Sequence, residues 1–314
     1  MKRKESANTM DLDIALVGHI YTELIQFPNQ EPSGPVMGGP VGHAAVIAAL
    51  LGAKTGIVTK IGKDMPKRLI EVFDETGVDT LGMKIEEGKS TATLLKYDLS
   101  GKKEVEYFSK ALDIYFDDIP TEYLDAKIIY ICSVDYEVPL KTAEELRRHD
   151  KVLAVDLMGF GGATCRTHPD KDEKKYHRIL REISQNFQIV RGSIEDCQYF
   201  FEDTEKIEED IPNLFVEWGA TIGIVTLGER GVLIASQDEK HRIPAFPVNA
   251  IDCTGAGDAF AAGFLVEYIK TKDLYRSGLF GNATASLVVE KSGGVTVERM
   301  PTYQEVKDRV NGKL

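Results

Sequence analysis

Short runs of aliphatic and β-branched residues alternate along the chain with stretches of helical character. The runs are LDIALV from Leu12, TGIVT from Thr55, KIIYIC from Lys127, KVLAVD from Lys151, FQIV from Phe187 and TIGIVT from Thr221. Several are apolar throughout, as strands covered on both faces of a parallel sheet are. Between them, residues 42–51 are Ala-rich and apolar, and residues 64–76 are amphipathic. Residues 137–148 start acidic and end basic, as the helix macrodipole favours. This alternation predicts a doubly wound α/β domain, in which ligands bind beyond the carboxyl ends of the strands. Residues that directly follow a strand are therefore the first candidates for a site.

The 314 residues suffice for one large α/β unit or for two domains of roughly 150 residues each. Hydrophobic residues make up 43% and charged residues 28%, and no apolar run approaches the roughly 18 residues of a membrane span. Fibrous, collagen-like and membrane-spanning classes are excluded. With 38 Lys and Arg against 50 Asp and Glu, the net charge is −12. That balance offers no field for nucleic acid or an anionic bilayer, although a local pocket for one small anion remains open. Residues 1–10 are basic, and Asp11 and Asp13 follow before any apolar stretch of signal-peptide length, so these ten residues read as a disordered arm. Cys132, Cys165, Cys197 and Cys253 form no CxxC pair and suit neither a disulfide framework nor a zinc site, which points to the cytoplasm. The charge-dense stretches KDEKK at Lys171 and EDTEKIEED at Glu202 read as solvated surface.

Residues 91–108 break the α/β alternation. Two β-favouring runs flank a turn signal at Ser100 and Gly101, which predicts an antiparallel hairpin. With residues 20–27 it could form a small sheet outside the main layer, a candidate lid; the plainer alternative is an edge hairpin.

Residues 251–265 read IDCTGAGDAFAAGFL. Ala259, Phe260, Gly263 and Phe264 recur at helical spacing, so a helix starts near Ala256 behind a tight turn. Gly255 and Gly257 leave backbone amides unshielded at that N-terminus, an anion site suited to the charge that builds during phosphoryl transfer. Asp258, in the first turn, can accept the proton of an attacking hydroxyl. The same dipole lowers its basicity, which a loose transition state tolerates because the proton leaves late. An ordinary N-cap uses similar residues, so the short pattern alone leaves both readings open.

The longer string is far more specific. DCTGAGDAFAAGF resembles the DTxGAGDxF signature of the ribokinase-like (PfkB) carbohydrate kinases, with Cys253 in place of the common Thr. Residues 37–64, MGGPVGHAAVIAALLGAKTGIVTKIGKD, resemble the family's double-glycine motif with its following helix and strand. VTLGERGVLI from Val225 is similar to the nucleotide-site TxGxxG, and GNATASLVVEKSGG from Gly281 to the helix and loop that close over adenine. The resemblance spans about residues 12–300. It implies a ribokinase-like three-layer α-β-α (Rossmann-like) domain over residues 11–314, with lid strands at about 20–28 and 88–110. Within it, Asp258 would be the base, and Gly255, Ala256 and Gly257 the anion hole. Thr226, Gly228, Gly231 and Asn282 would line the ATP site. The implied cofactors are ATP, Mg²⁺ and a monovalent cation such as K⁺ near Asp252, and the implied assembly is a homodimer through the lid.

The departures from the family lie at the acceptor end. Where it often carries GxxNxD, this chain reads GHIYTE, placing Tyr21 and Glu23 at the substrate positions; after Gly38 and Gly39 the usual Asn is His43. Glu23 can still accept hydroxyl hydrogen bonds. Tyr21 and His43 either donate to the acceptor, stack on it, or pack into the core. Neither His19 nor His43 has partners at metal-ligand spacing. The family's NxxE becomes RGSIEDCQ, which registers as Ser193 to Asp196 or as Gly192 to Glu195; either carboxylate can act on Mg²⁺ through water, with Glu195 slightly preferred. GFGGAT at Gly159 lacks dinucleotide spacing and reads as a loop. The function implied is transfer of the ATP γ-phosphate to a hydroxyl of a sugar or cyclic polyol, GHIYTE and GGPVGHAA being a little similar to the inositol-kinase branch. A nucleoside, with Tyr21 stacked on its base, is the alternative acceptor. A ligand-sensing protein on the same fold is the rival class, but a sensor has no need of the intact GAGD.

Overall fold

The computed structural model describes residues 11–99, 103–160, 176–201 and 208–313. The predicted arm at 1–10, the hairpin turn at Ser100 and Gly101, KDEKK, Cys165 and most of GFGGAT and EDTEKIEED lie outside them.

Strands β1 (Ile14–Val17), β2 (Tyr21–Gln26) and β3 (Ser33–Gly38) lead into α1 (Pro40–Leu50) and β4 (Thr55–Gly62). Then come α2 (Lys67–Thr76), β5 (Asp79–Glu86), β6 (Thr91–Tyr97), β7 (Lys103–Ser109) and β8 (Ile128–Ile131). The middle of the chain forms α3 (Leu140–Leu146), β9 (Val152–Asp156), α4 (Tyr176–Asn186), β10 (Ile189–Ser193) and α5 (Ile194–Phe201). It closes with α6 (Ile211–Glu217), β11 (Ile222–Thr226), β12 (Val232–Ala235), β13 (Lys240–Ile243), α7 (Ala256–Thr271), α8 (Leu274–Val289) and α9 (Tyr303–Val310).

Nine strands form the main sheet in the order β13-β12-β11-β10-β9-β8-β1-β4-β5. Its pairs are parallel except for β12, which runs antiparallel to both neighbours. Alternate residues of one strand feed two separate cores: Ile14 and Leu16 join α1, α7 and α8, while Ala15 and Val17 join the layer containing Ile179, Leu180 and Phe215. That two-sided burial is why the strands read as continuous apolar runs. Helix α1 is buried over Pro40–Ala48, and Pro40 is pre-set for its first turn. Two predicted helices begin later than their periodicity suggests, α2 at Lys67 and α3 at Leu140, each just after a proline at the N-cap. A proline keeps the residue before it out of the helical region, so Met65 and Val138 cannot belong to the helix.

A second sheet has the order β3-β2-β6-β7. The hairpin read from residues 91–108 is β6 and β7, antiparallel, and β2 joins β6 in parallel from Tyr21↔Thr91 to Gln26↔Lys96. The sequence did not reveal β3, which pairs antiparallel with β2 and delivers Gly38 next to Glu23.

Candidate active site

A cleft opens between the two sheets. The second sheet contributes Tyr21, Glu23, Leu95 and Val105; the loops after β8 and β9 contribute Val134 and Met158; Thr254, Gly255 and Asp258 come from the start of α7. The cleft thus lies beyond the carboxyl ends of the main strands, where an α/β sheet offers a binding crevice.

Gly255 is the N-cap of α7, with φ 78° and no side-chain cap, so the first-turn amides face outward with the positive end of a 16-residue helix behind them. The Ala256 amide closes a turn on the Cys253 carbonyl at 3.2 Å, which makes it the least available of the three expected anion-hole donors. Asp258 sits in the first turn, its side chain 13% exposed and its Oδ2 3.9 Å from His43 Nδ1. The imidazole is itself buried, and its Nδ1 donates to the Gly39 carbonyl at 3.1 Å. It also lies against Gly255, where an added Cβ would overlap the ring. Gly255→Ala is therefore expected to cost about 1–2 kcal/mol from the left-handed backbone alone. Displacing the amides should also lower turnover by up to roughly 100-fold. Thermal melts and steady-state rates check both, and an unchanged rate would contradict the assigned anion hole.

Of the expected acceptor residues, Glu23 is buried with its carboxylate directly over Gly38, where any side chain would collide with it. Tyr21 is buried edge-on to Tyr107, ring centroids 6.4 Å apart, and burial holds its phenol well above the usual pKa, so it enters the site neutral. His19 lies outside the cleft lining, its Nδ1 on Thr91 and its Nε2 on the Leu112 carbonyl, and burial lowers its pKa.

On the donor side, Thr226 ends β11, Gly228 opens the following 3-10 turn and Gly231 closes it. Asn282 on α8 spends its amide nitrogen on the carbonyls of Ile243 and Pro244, bracing the chain that leaves β13. Asp196 is buried in the first turn of α5, where its Oδ2 accepts from Ser193 Oγ at 2.7 Å, while Glu195 is exposed. No group of three or more His, Cys, Asp or Glu that could hold a metal gathers among the described residues. A single buried carboxylate beside an exposed one fits a Mg²⁺ that keeps its water and is held mainly by substrate phosphates.

Two arginines escaped the sequence reading. Arg191 on β10 lies beneath Gly257, pairs with Asp156 and donates from Nη2 to Thr226 Oγ1 at 2.7 Å. Burial opposes its charge, but Asp156, Tyr130 and Asp196 act together against it and raise its pKa. A lone charged residue in the middle of a buried strand was the available signal. Arg299 lies against Asp252, at the place expected for a monovalent metal ion. Asp252 Oδ1 accepts from the Thr254 amide and Oδ2 from that of Gly293.

Among the described residues, no helix is long and apolar enough to cross a membrane. The chain is 31% identical over 287 residues to a cytidine kinase of Thermococcus kodakarensis, covering 90% of this chain and 98% of the relative. It is 25% identical over 294 residues to a 5-dehydro-2-deoxygluconokinase of Clostridium botulinum, covering 88% and 84%. The Arabidopsis thaliana ribokinase complexed with ribose and ATP superposes with a TM-score of 0.76 over 96% of this chain and 99% of that one; at 19% identity this likeness speaks to the fold. The model of the pfkB family carbohydrate kinases matches residues 11–301, so the chain belongs to that family and is a phosphotransferase with a hydroxyl acceptor.

Proposed function

We propose that the protein transfers the γ-phosphate of ATP to a hydroxyl of a nucleoside. The observation that carries this reading is the composition of the cleft wall. Leu95, Val105, Val134, Met158 and the Tyr21 ring form an apolar surface suited to a base, while Glu23 and His43 supply polar atoms for a sugar. The similarity to a cytidine kinase supports the same acceptor class. A sugar or cyclic polyol is the second reading, supported by the similarity to a 5-dehydro-2-deoxygluconokinase.

In this mechanism the acceptor hydroxyl lies between Asp258 and the γ-phosphorus. Asp258 takes its proton as the oxygen attacks, the bond to the bridging oxygen breaks, and ADP leaves. The amides at the head of α7 hold the charge on the transferred group, and Arg191 adds positive potential beneath them. Mg²⁺, held through water by Asp196 and Glu195, would neutralise the donor phosphates. Thr226, Gly228 and Gly231 line the nucleotide side.

The second sheet acts as the lid that excludes water. Its latch is Tyr97 on β6, whose hydroxyl shares a 2.6 Å hydrogen bond with Thr254 Oγ1 while its ring stacks on Phe27. Burial pushes the Tyr97 phenol up to about 12, so the latch stays neutral across the working range of pH. Tyr97→Phe removes one neutral hydrogen bond, worth about 1 kcal/mol, and is expected to raise the acceptor KM several-fold with the fold intact. An unchanged KM would remove Tyr97 from the lid. Exposed Leu99, Phe108 and Leu112 on and after the β6–β7 hairpin support a homodimer through this sheet.

ADP release from ATP and Mg²⁺ across nucleosides, hexoses and cyclic polyols tests the acceptor. Nucleosides are expected to stand above the rest. Response to a hexose or an inositol alone would favour the second reading.

A further inference from the structure

Arg299 follows α8 by ten residues and is 3% exposed. Its guanidinium is surrounded by oxygen from two separate segments. Nη2 donates to the Thr254 carbonyl at 2.7 Å and to the Asp252 carbonyl at 3.4 Å, in the turn that leads into Gly255. Nε donates to the Lys291 carbonyl at 3.2 Å, and Nη1 donates to the Gly293 carbonyl, both beyond the end of α8. The Asp252 carboxylate adds a full negative charge 3.7 Å from Nη2. Four carbonyl dipoles and one carboxylate aimed at one buried point repel each other unless a positive charge occupies it, and burial removes the water that would screen them. Such an all-oxygen donor set is what a hard metal cation takes. Here the point is filled by a side chain of the chain itself, so the donor set does not fit an added ion.

We propose that Arg299 is a built-in cation: it holds the 252–254 turn against the 291–293 segment, fixes the anion hole and Asp258 that follow, and makes turnover independent of any monovalent metal ion. It is a positioning residue, acting through the turn rather than on the substrate. The planar guanidinium suits this role because its donors are rigidly spaced and it neither dissociates nor loses its proton. The same loop reaches the second sheet, where the Val295 amide donates to the Met37 carbonyl at 2.9 Å. One side chain thus braces the anion hole and the strand that carries Gly38.

The rate arm of the test rests on the proposed phosphoryl transfer; the stability arm does not. The wild-type protein is compared in KCl, NaCl and tetramethylammonium chloride at equal ionic strength. Equal rates and equal melting temperatures are expected, because a chain that binds K⁺ gains stability as K⁺ rises. Stimulation or stabilisation specific to K⁺ would overturn the proposal. Arg299→Ala should lower kcat by about 100-fold with a smaller effect on KM. Millimolar guanidinium chloride or KCl should then restore part of both its rate and its melting temperature. A folded variant that keeps its rate, or that neither ion rescues, would also overturn it. Should Arg299→Ala fail to fold, Arg299→Lys takes its place, and the wild-type salt comparison decides regardless. A wild type silent towards every acceptor in every salt would count against the kinase reading alone, since the melting comparison would still stand.

Discussion

Asp258→Asn is expected to lower kcat by about 100- to 10,000-fold, the range typical of losing a general base. The carboxamide is isosteric, so the first turn of α7 and the contact with His43 should survive. What disappears is the capacity to accept the acceptor's proton while the oxygen attacks phosphorus. An interaction made only in the transition state lowers kcat and kcat/KM together, so KM for both substrates should stay put. ATP binding by calorimetry should likewise be unchanged. Turnover retained within tenfold would mean that the acceptor loses its proton elsewhere, and Asp258 would revert to a residue of the helix start.

Arg191→Ala is expected to be the most destabilising single change near the site. Arg191 and Asp156 are both buried, and removing the cation leaves a carboxylate in the interior without compensation, a loss of about 3–5 kcal/mol in comparable buried pairs. Against a typical total of about 5–15 kcal/mol, that should show as a large drop in the denaturant midpoint. Arg191→Lys keeps the charge but gives up the fork that spans Asp156 and Thr226, so its stability should fall less while its KM for ATP rises. A lysine variant matching wild type in both respects would show that only charge matters there. Equal loss in the two variants would show that only geometry does.

The parts of this protein legible in the sequence are those in which local pattern and tertiary role coincide. Strands such as β1 and β8, buried on both faces, must be apolar at every position, and the Gly-rich start of α7 must be written in consecutive residues. β3 and β5 were invisible because they are made by their neighbours. β3 contains glycine and proline and is held by pairing to β2, while β5 is an edge strand that exposes Leu81 and Ile85. Tyr21, Glu23 and His43 could be named from their positions, yet the meeting of the first two with Gly255 and Asp258 depends on how the second sheet sits over the first, and that of His43 on the packing of α1 against α7. The two arginines are the clearest limit. Arg299 lies 47 residues from Asp252, in a loop with no periodicity, and only the folded chain reveals that the oxygens of two segments converge on it.

The central claim is transfer to a hydroxyl rather than release of phosphate to water. Phosphorus-31 NMR of the wild-type protein with ATP, Mg²⁺ and cytidine tests it directly. The expected result is a new phosphomonoester resonance growing in step with ADP and absent with Asp258→Asn. Inorganic phosphate appearing in place of that ester, at the same rate with and without acceptor, would contradict it.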